Sequence, residues 1–287
     1  MKVSPQLRGL SPAELIRAVK RGLAYVEGDT LVPVASGAAP ALFVNDAEAQ
    51  ASGTAVALDG TNTGDAASVA FTGAAVGANM TLTFDNAHAA HGANAYKAAL
   101  TSTATAATYV FWSGFTAMPH VYGAAYIYLT ATPVSSVRIC QFFLSGGLIG
   151  SWFINSGGPT AQFRSAADAA IGTASVSITL NAWTRIEYDI LFGASGTATG
   201  KLFVYDGDST SQKGTAADLG ANAFGTSAGA DQARFGICTA NLGSTAGLAL
   251  WFDDINLNDT GVPGPGPYSA VPVQPPALQP RRMPLGV

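Results

Sequence analysis

Charged side chains are scarce: they make up 11% of the 287 residues, against roughly a quarter in ordinary globular proteins. The polar surface must therefore come mainly from Ser, Thr, Asn and backbone groups. Glutamate is scarcer still, present only at Glu14, Glu27, Glu48 and Glu187. No apolar run approaches the roughly 18 residues that a membrane-spanning helix needs, so no membrane span is expected. Cysteine occurs twice, at Cys140 and Cys238, without metal-ligand spacing, and two buried free thiols are expected. His88 and His91 have a spacing that zinc could use, but no cysteine or third histidine lies nearby, so a loop is expected there. The opening, MKVSPQLRGLSPAELIRAVKRG, has no uninterrupted apolar core and does not read as a secretory signal. No glycine-rich phosphate loop is found, because the Gly-Pro repeats after Gly261 lack a following helix.

What the chain has in quantity is glycine, 33 residues of it, among short apolar runs. About fourteen such runs recur between Leu42 and Thr260, with turn residues and no helical interludes, which predicts an antiparallel sandwich. The clearest is Trp183–Phe192, where Ile186, Tyr188 and Ile190 alternate with Arg185, Glu187 and Asp189. Tyr205-Asp206-Gly207-Asp208 reads as a tight turn. Ahead of this body, Ser11-Pro12-Ala13-Glu14 is a capping box, followed by the apolar stripe Leu15, Ile16, Val19 and Leu23. This predicts one short amphipathic helix, ended by Gly22 or Gly28, with an extended linker over residues 30–40. Behind the body comes a proline-rich tail carrying Tyr268, Arg281 and Arg282. The expected organisation is a helical arm and linker over 1–41, a jelly-roll β-sandwich over 42–260 and an extended arm over 261–287.

Charge follows the same division. Residues 1–35 carry five basic and three acidic side chains, and residues 260–287 carry two arginines and no acid. The middle is left with seven basic and fifteen acidic side chains, a net −8. An acidic body disfavours nucleic acid, while basic ends suit docking on acidic neighbours. The alternative is that the terminal arginines are merely solvated.

Gly247–Asp259 is apolar on both faces, which predicts an interior strand. Strict alternation puts Leu248, Leu250 and Phe252 on one face and Trp251, Ile255 and Leu257 on the other. The pair Asp253–Asp254 sits inside it, and one carboxylate is expected to turn towards the core. There it needs a hydrogen bond, a cation or a metal.

Four motifs in order, Trp183-Thr184-Arg185-Ile186-Glu187-Tyr188-Asp189, Leu202–Gly207, Arg234–Ile237 and Trp251–Ile255, resemble the closing half of concanavalin A-like (laminin-G-like) jelly rolls. His91–Lys97 is similar to a small loop and strand of the first half. The whole layout resembles structural proteins in tailed-phage virions. That resemblance implies a non-enzymatic capsid decoration or head or tail appendage, assembled in the host cytoplasm, with partners among virion proteins and a homo-oligomer compatible. The alternative is a carbohydrate-binding or adhesion module recognising surface glycans. Some members of the superfamily hydrolyse glycans with paired carboxylates on one strand. Here Glu187-Tyr188-Asp189 continues as Ile-Leu-Phe without the second glutamate, so solvated carboxylates and no catalysis are expected. Related binding modules hold a structural Ca²⁺, which implies Asp253 or Asp254 with Asp46 or Glu48 as ligands, against simple capping of backbone amides. A glycan or interface face is expected from Tyr122, Tyr126, Tyr128, Arg138, Trp152 and Gln162.

Overall fold

The computed structural model describes residues 2–3, 24–27, 30–33, 42–65, 68–102, 107–238 and 248–261. The predicted helix with Leu15, Ile16, Val19 and Leu23, and the tail with Tyr268, Arg281 and Arg282, lie outside the described residues. Three short strands, β1 (Lys2–Val3), β2 (Ala24–Glu27) and β3 (Thr30–Pro33), form a small sheet in the order β1-β3-β2. The linker expected from Thr30 therefore begins as a strand, paired antiparallel to β2 from Ala24↔Pro33 to Glu27↔Thr30.

Two antiparallel sheets make the sandwich. The eight-stranded sheet holds β4 (Leu42–Asn45), β6 (Met80–Asp85), β7 (Ala95–Leu100), β9 (His120–Leu129), β14 (Trp183–Leu191), β15 (Thr199–Asp206), β16 (Ala217–Asp218) and β18 (Ala249–Asn258). Its order is β16-β15-β14-β9-β18-β7-β6, with β4 pairing the far half of β18. The seven-stranded sheet holds β5 (Gly73–Ala75), β8 (Thr108–Met118), β10 (Val137–Leu144), β11 (Gly147–Ile154), β12 (Ala161–Ser165), β13 (Ala170–Ile171) and β17 (Ala230–Ile237). Its order is β13-β12-β11-β10-β17-β8-β5. The inner faces supply one apolar core, with Ile186, Tyr188, Ile190, Ile127, Leu250, Phe252, Trp112, Phe142 and Trp152 among its members. Both cysteines are free and buried, as the spacing predicted. Among the described residues no helix is long and apolar enough to cross a membrane.

The alternation of β14 is observed as read, with Ile186, Tyr188 and Ile190 in the core. That of β18 is corrected at its midpoint. The β9 pairing runs Asp253↔Tyr126 and then Asn256↔Ala124, a bulge in β18. Asp254 takes φ 44° there. Such a bulge adds a residue and shifts the facing of everything after it. Ile255 and Leu257 thus join Leu250 and Phe252 in the core, while Trp251 stays on the outer face with Ala249. Neither aspartate enters the apolar core. Both lie on the outer side of the sheet beneath residues 86–94.

Candidate functional site

The outer face of the eight-stranded sheet is where polar side chains converge. Period-2 facing along β9 brings out His120, Tyr122, Ala124, Tyr126 and Tyr128. Register sets Tyr126 between Arg185 on β14 and Asp253 on β18, and Tyr128 between Trp183 and Trp251. The three tyrosines expected on one face are therefore found together.

Two connections fold back over this face. Residues 86–94, between β6 and β7, are pinned by carboxylates that cap their amides. Asp253 accepts from the Ala90 amide at 2.9 Å, and Glu48 accepts from the Ala93 and Asn94 amides at 2.8 and 2.9 Å. Gly92 is required at φ 64°, since a Cβ there would meet the Glu48 carboxylate at 2.4 Å. The turn after β15 is pinned by Arg185, whose side chain is 1% exposed. It donates from Nε to Glu187, from Nη1 to the Gly207 carbonyl and from Nη2 to the Ser209 carbonyl, at 2.8, 2.8 and 2.9 Å. Its guanidinium also lies 4.3 Å over the Tyr205 ring. The carbonyls on both sides of Asp208 are thereby fixed, which aims that side chain at the centre of the face.

There His91 is held by a carboxylate at each ring nitrogen, Nδ1 against Asp254 at 2.5 Å and Nε2 against Asp208 at 3.0 Å. Tyr126 donates its hydroxyl to the other oxygen of Asp208 at 2.6 Å. The two acids are pushed in opposite directions. Burial, and then the charges of Asp46, Asp208 and Glu48, raise Asp254 to about 8. Burial also pulls Asp208 upward, but hydrogen bonds from Tyr126 and His91, with the positive charge of Arg185, outweigh it and hold this carboxyl below the usual range. Asp253 is raised by burial and by Asp254, against three amides that favour its charged form. The buried end of this series thus favours its proton and the solvent end its charge. Asp208 is 57% exposed and His91 18%, whereas Tyr126 is buried. Beside this centre His88 stacks on Tyr128 at 4.0 Å and meets Trp251 edge-on at 4.6 Å, forming an aromatic floor.

Several expected site residues lie elsewhere. Trp152 is a core residue, and Arg138 and Gln162 lie on the outer face of the other sheet, so the expected glycan face is split across the sandwich. Glu187 is not solvated: it is buried, paired with Arg185 and raised by burial. Asp46 accepts from the Ser68 hydroxyl and the Glu48 amide. Among the described residues no three His, Cys, Asp or Glu side chains are arranged to hold a metal. The carboxylates named as calcium ligands accept from backbone amides and a hydroxyl, and Asp254 meets His91. His91 itself was read as an ordinary loop residue. Its partners lie 163 and 117 positions away, and no local pattern announces them.

No protein-family model matches the chain, and no curated protein sequence matches it either. Solved structures do share the fold. An endo-β-1,4-glucuronan lyase from the fungus Trichoderma reesei superposes with a TM-score of 0.50 at 15% identity, covering 76% of this chain and 95% of its own. The cellulose-induced protein Cip1 gives 0.46 at 16% identity, covering 64% and 88%. An alginate lyase from Aplysia kurodai gives 0.45 at 9% identity, covering 61% and 86%. The likeness to the glucuronan lyase establishes the sandwich. It also corrects the expectation of a non-enzymatic phage structural protein. The neighbour at that score is named as a lyase and not as a virion protein. The absence of a second glutamate excludes only one kind of glycan cleavage.

Proposed function

We propose that the chain is a carbohydrate-active enzyme that cleaves an acidic polysaccharide by β-elimination on the outer face of the eight-stranded sheet. The observation that carries this reading is His91 held at 2.5 and 3.0 Å between two carboxyls in opposite surroundings, Asp254 buried and raised, Asp208 exposed and lowered. Titratable neighbours driven apart by their surroundings are the pattern of an acid–base pair. In an elimination the base takes the proton from the carbon beside the uronate carboxylate. The bond to the glycosidic oxygen breaks, that oxygen leaves with a proton, and a carbon–carbon double bond remains. Asp208 and His91 are the members that reach solvent, and they carry the proton transfer. Tyr126 and Arg185 position Asp208, and the carboxyl of Asp254 donates to His91 Nδ1, which leaves the ring proton on Nε2 towards Asp208. The glucuronan lyase that shares the fold is named for a uronate polymer, which supports the substrate class.

The experiment is incubation of the full chain with polyglucuronate, alginate, polygalacturonate and a neutral β-glucan. Ultraviolet absorbance of the unsaturated product is followed beside reducing ends. Rising absorbance with a uronate polymer, reduced about 10²-fold or more by Asp208→Asn, is the expected result. New reducing ends without absorbance would mean hydrolysis and overturn elimination. Silence on every polymer would overturn the enzymatic reading.

A further inference from the structure

The outer face of the seven-stranded sheet is built from other materials. Register carries one row across five strands: Arg164 on β12, Ser151 on β11, Gln141 on β10, Arg234 on β17 and Phe111 on β8. A shorter row beside it runs Gln162, Phe153 and Arg138. The guanidinium of Arg234 lies 3.8 Å from the ring centre of Phe143 and 4.7 Å from that of Tyr109. That of Arg164 lies 4.3 Å over Phe153. A guanidinium stacked this way loses water from its faces and keeps its outer N–H edge for a planar acceptor.

The acceptors within the protein do not match the donors. Asp168 serves both Arg138 and Arg164. Arg234 has no carboxylate at ion-pair distance among the described residues, and the nearest acid in sequence, Asp231, accepts the Ser145 amide instead. The Nε atoms of Arg164 and Arg234 and the hydroxyl of Ser151 are buried with no hydrogen-bond partner. Buried polar groups normally find partners, so a cluster of exceptions on one face calls for a cause. The two Nε atoms can only donate, and the Ser151 hydroxyl can donate or accept.

We infer that this face is a second, non-catalytic site that grips carboxylates of a uronate polymer through the edges of Arg234 and Arg164, on the opposite side of the sandwich from His91. The inference rests on the reading that the substrate is an acidic polysaccharide, and it adds where that polymer is held between turnovers. The chain's own C-terminal segment is excluded as occupant by charge, since residues 262–287 carry Arg281 and Arg282 and no acid. A neutral glucan would leave the guanidinium edges unmatched. A carboxylate offers the bidentate geometry that arginine favours.

The test uses the full chain carrying Asp208→Asn, so that polymer is not consumed, in native gels containing polyglucuronate, a neutral β-glucan or double-stranded DNA. Retardation is expected in the uronate gel alone, relieved by added salt. Adding Arg234→Gln should weaken it about tenfold, the size of one charge-assisted contact. Arg234→Lys should recover only part of it, because lysine keeps the charge but not the planar fork. Should Arg234→Gln fail to fold, Arg164→Gln takes its place with the same expected loss. Retardation unchanged by the arginine variants would overturn the site, as would equal retardation by DNA. Neither outcome bears on the cleavage assay, which reads the other face.

Discussion

On the eight-stranded sheet, the carboxyls of Asp208 and Asp254 hold one imidazole between them, and Asp253 caps the backbone beside it, under two folded-back connections. On the seven-stranded sheet, Arg164 and Arg234 lie flat on aromatic rings. Both faces bear charge on the outside of the same core, yet they satisfy it by different means. The first uses backbone: amides of residues 90–94 cap Asp253 and Glu48, and carbonyls of Gly207 and Ser209 hold Arg185. The second uses ring faces, which desolvate a cation without giving it a hydrogen-bond partner. Groups tied to backbone can be forced into unusual protonation states, because the fold holds them there. Groups resting on rings keep an edge to offer. That difference is why chemistry is assigned to one face and adhesion to the other.

The comparison breaks most visibly at Arg185. Arg185→Met removes four hydrogen bonds, to Glu187, Tyr126, Gly207 and Ser209, leaves Glu187 buried without its cation and frees the turn that carries Asp208. A loss of about 3–5 kcal/mol in denaturant-induced unfolding is expected, the cost of breaking a buried pair by removing one partner. The matching change on the other face, Asp168→Asn, removes an exposed carboxylate shared by two arginines and should cost less than about 1 kcal/mol. Comparable losses from the two would erase the distinction between the faces.

A pH series sharpens it further. Between 3.8, the ordinary value, and about 8, the folded protein holds a proton at Asp254 that the unfolded chain has released. Stability should therefore fall as pH rises through that window and level off above it. Asp254→Asn should flatten this part of the melting-temperature profile and raise the melting point at pH 8 relative to the parent. A parent profile that climbs from pH 5 to 8 would mean that Asp254 is ionised in the fold.

The smallest effect expected is that of a chelator. With Asp253 and Glu48 on amides and Asp46 on Ser68 and an amide, EDTA should leave the melting temperature unchanged. A fall of several degrees would put a cation among Asp46, Glu48 and Asp254.

How far the sequence could be read depended on how local the determining contact is. The facing of Trp183–Leu191 was legible because alternation is written into consecutive residues. The second half of β18 was not, because a bulge leaves no mark in composition, and Asp253–Asp254 looked like two more steps of a regular strand. Residues 175–180 alternate well, yet they make only the isolated bridge Thr160↔Ser177. Periodicity proposes a strand there, but sustained pairing is lacking. The tyrosine stripe of β9 was found from spacing alone. Its placement opposite Arg138 and Gln162 was not, because alternation says that a side chain faces out without saying from which sheet. His91 lay furthest from view, since its role is set entirely by a turn and a bulge more than a hundred residues away.

The bulge at Asp253–Asp254 gives the central strand one residue more than its neighbour β9 can pair, and that surplus serves the surface and not the interior. Deleting one aspartate would restore regular pairing, with Ile255 opposite Ala125 and Asn256 still opposite Ala124. Ile255 and Leu257 would keep their places in the core, and only a carboxylate beneath residues 86–94 would be lost. Deleting Ile255 instead would carry a polar neighbour, Asp254 or Asn256, into the core in its place. The acid–base centre is thus built on a residue that the core could give back.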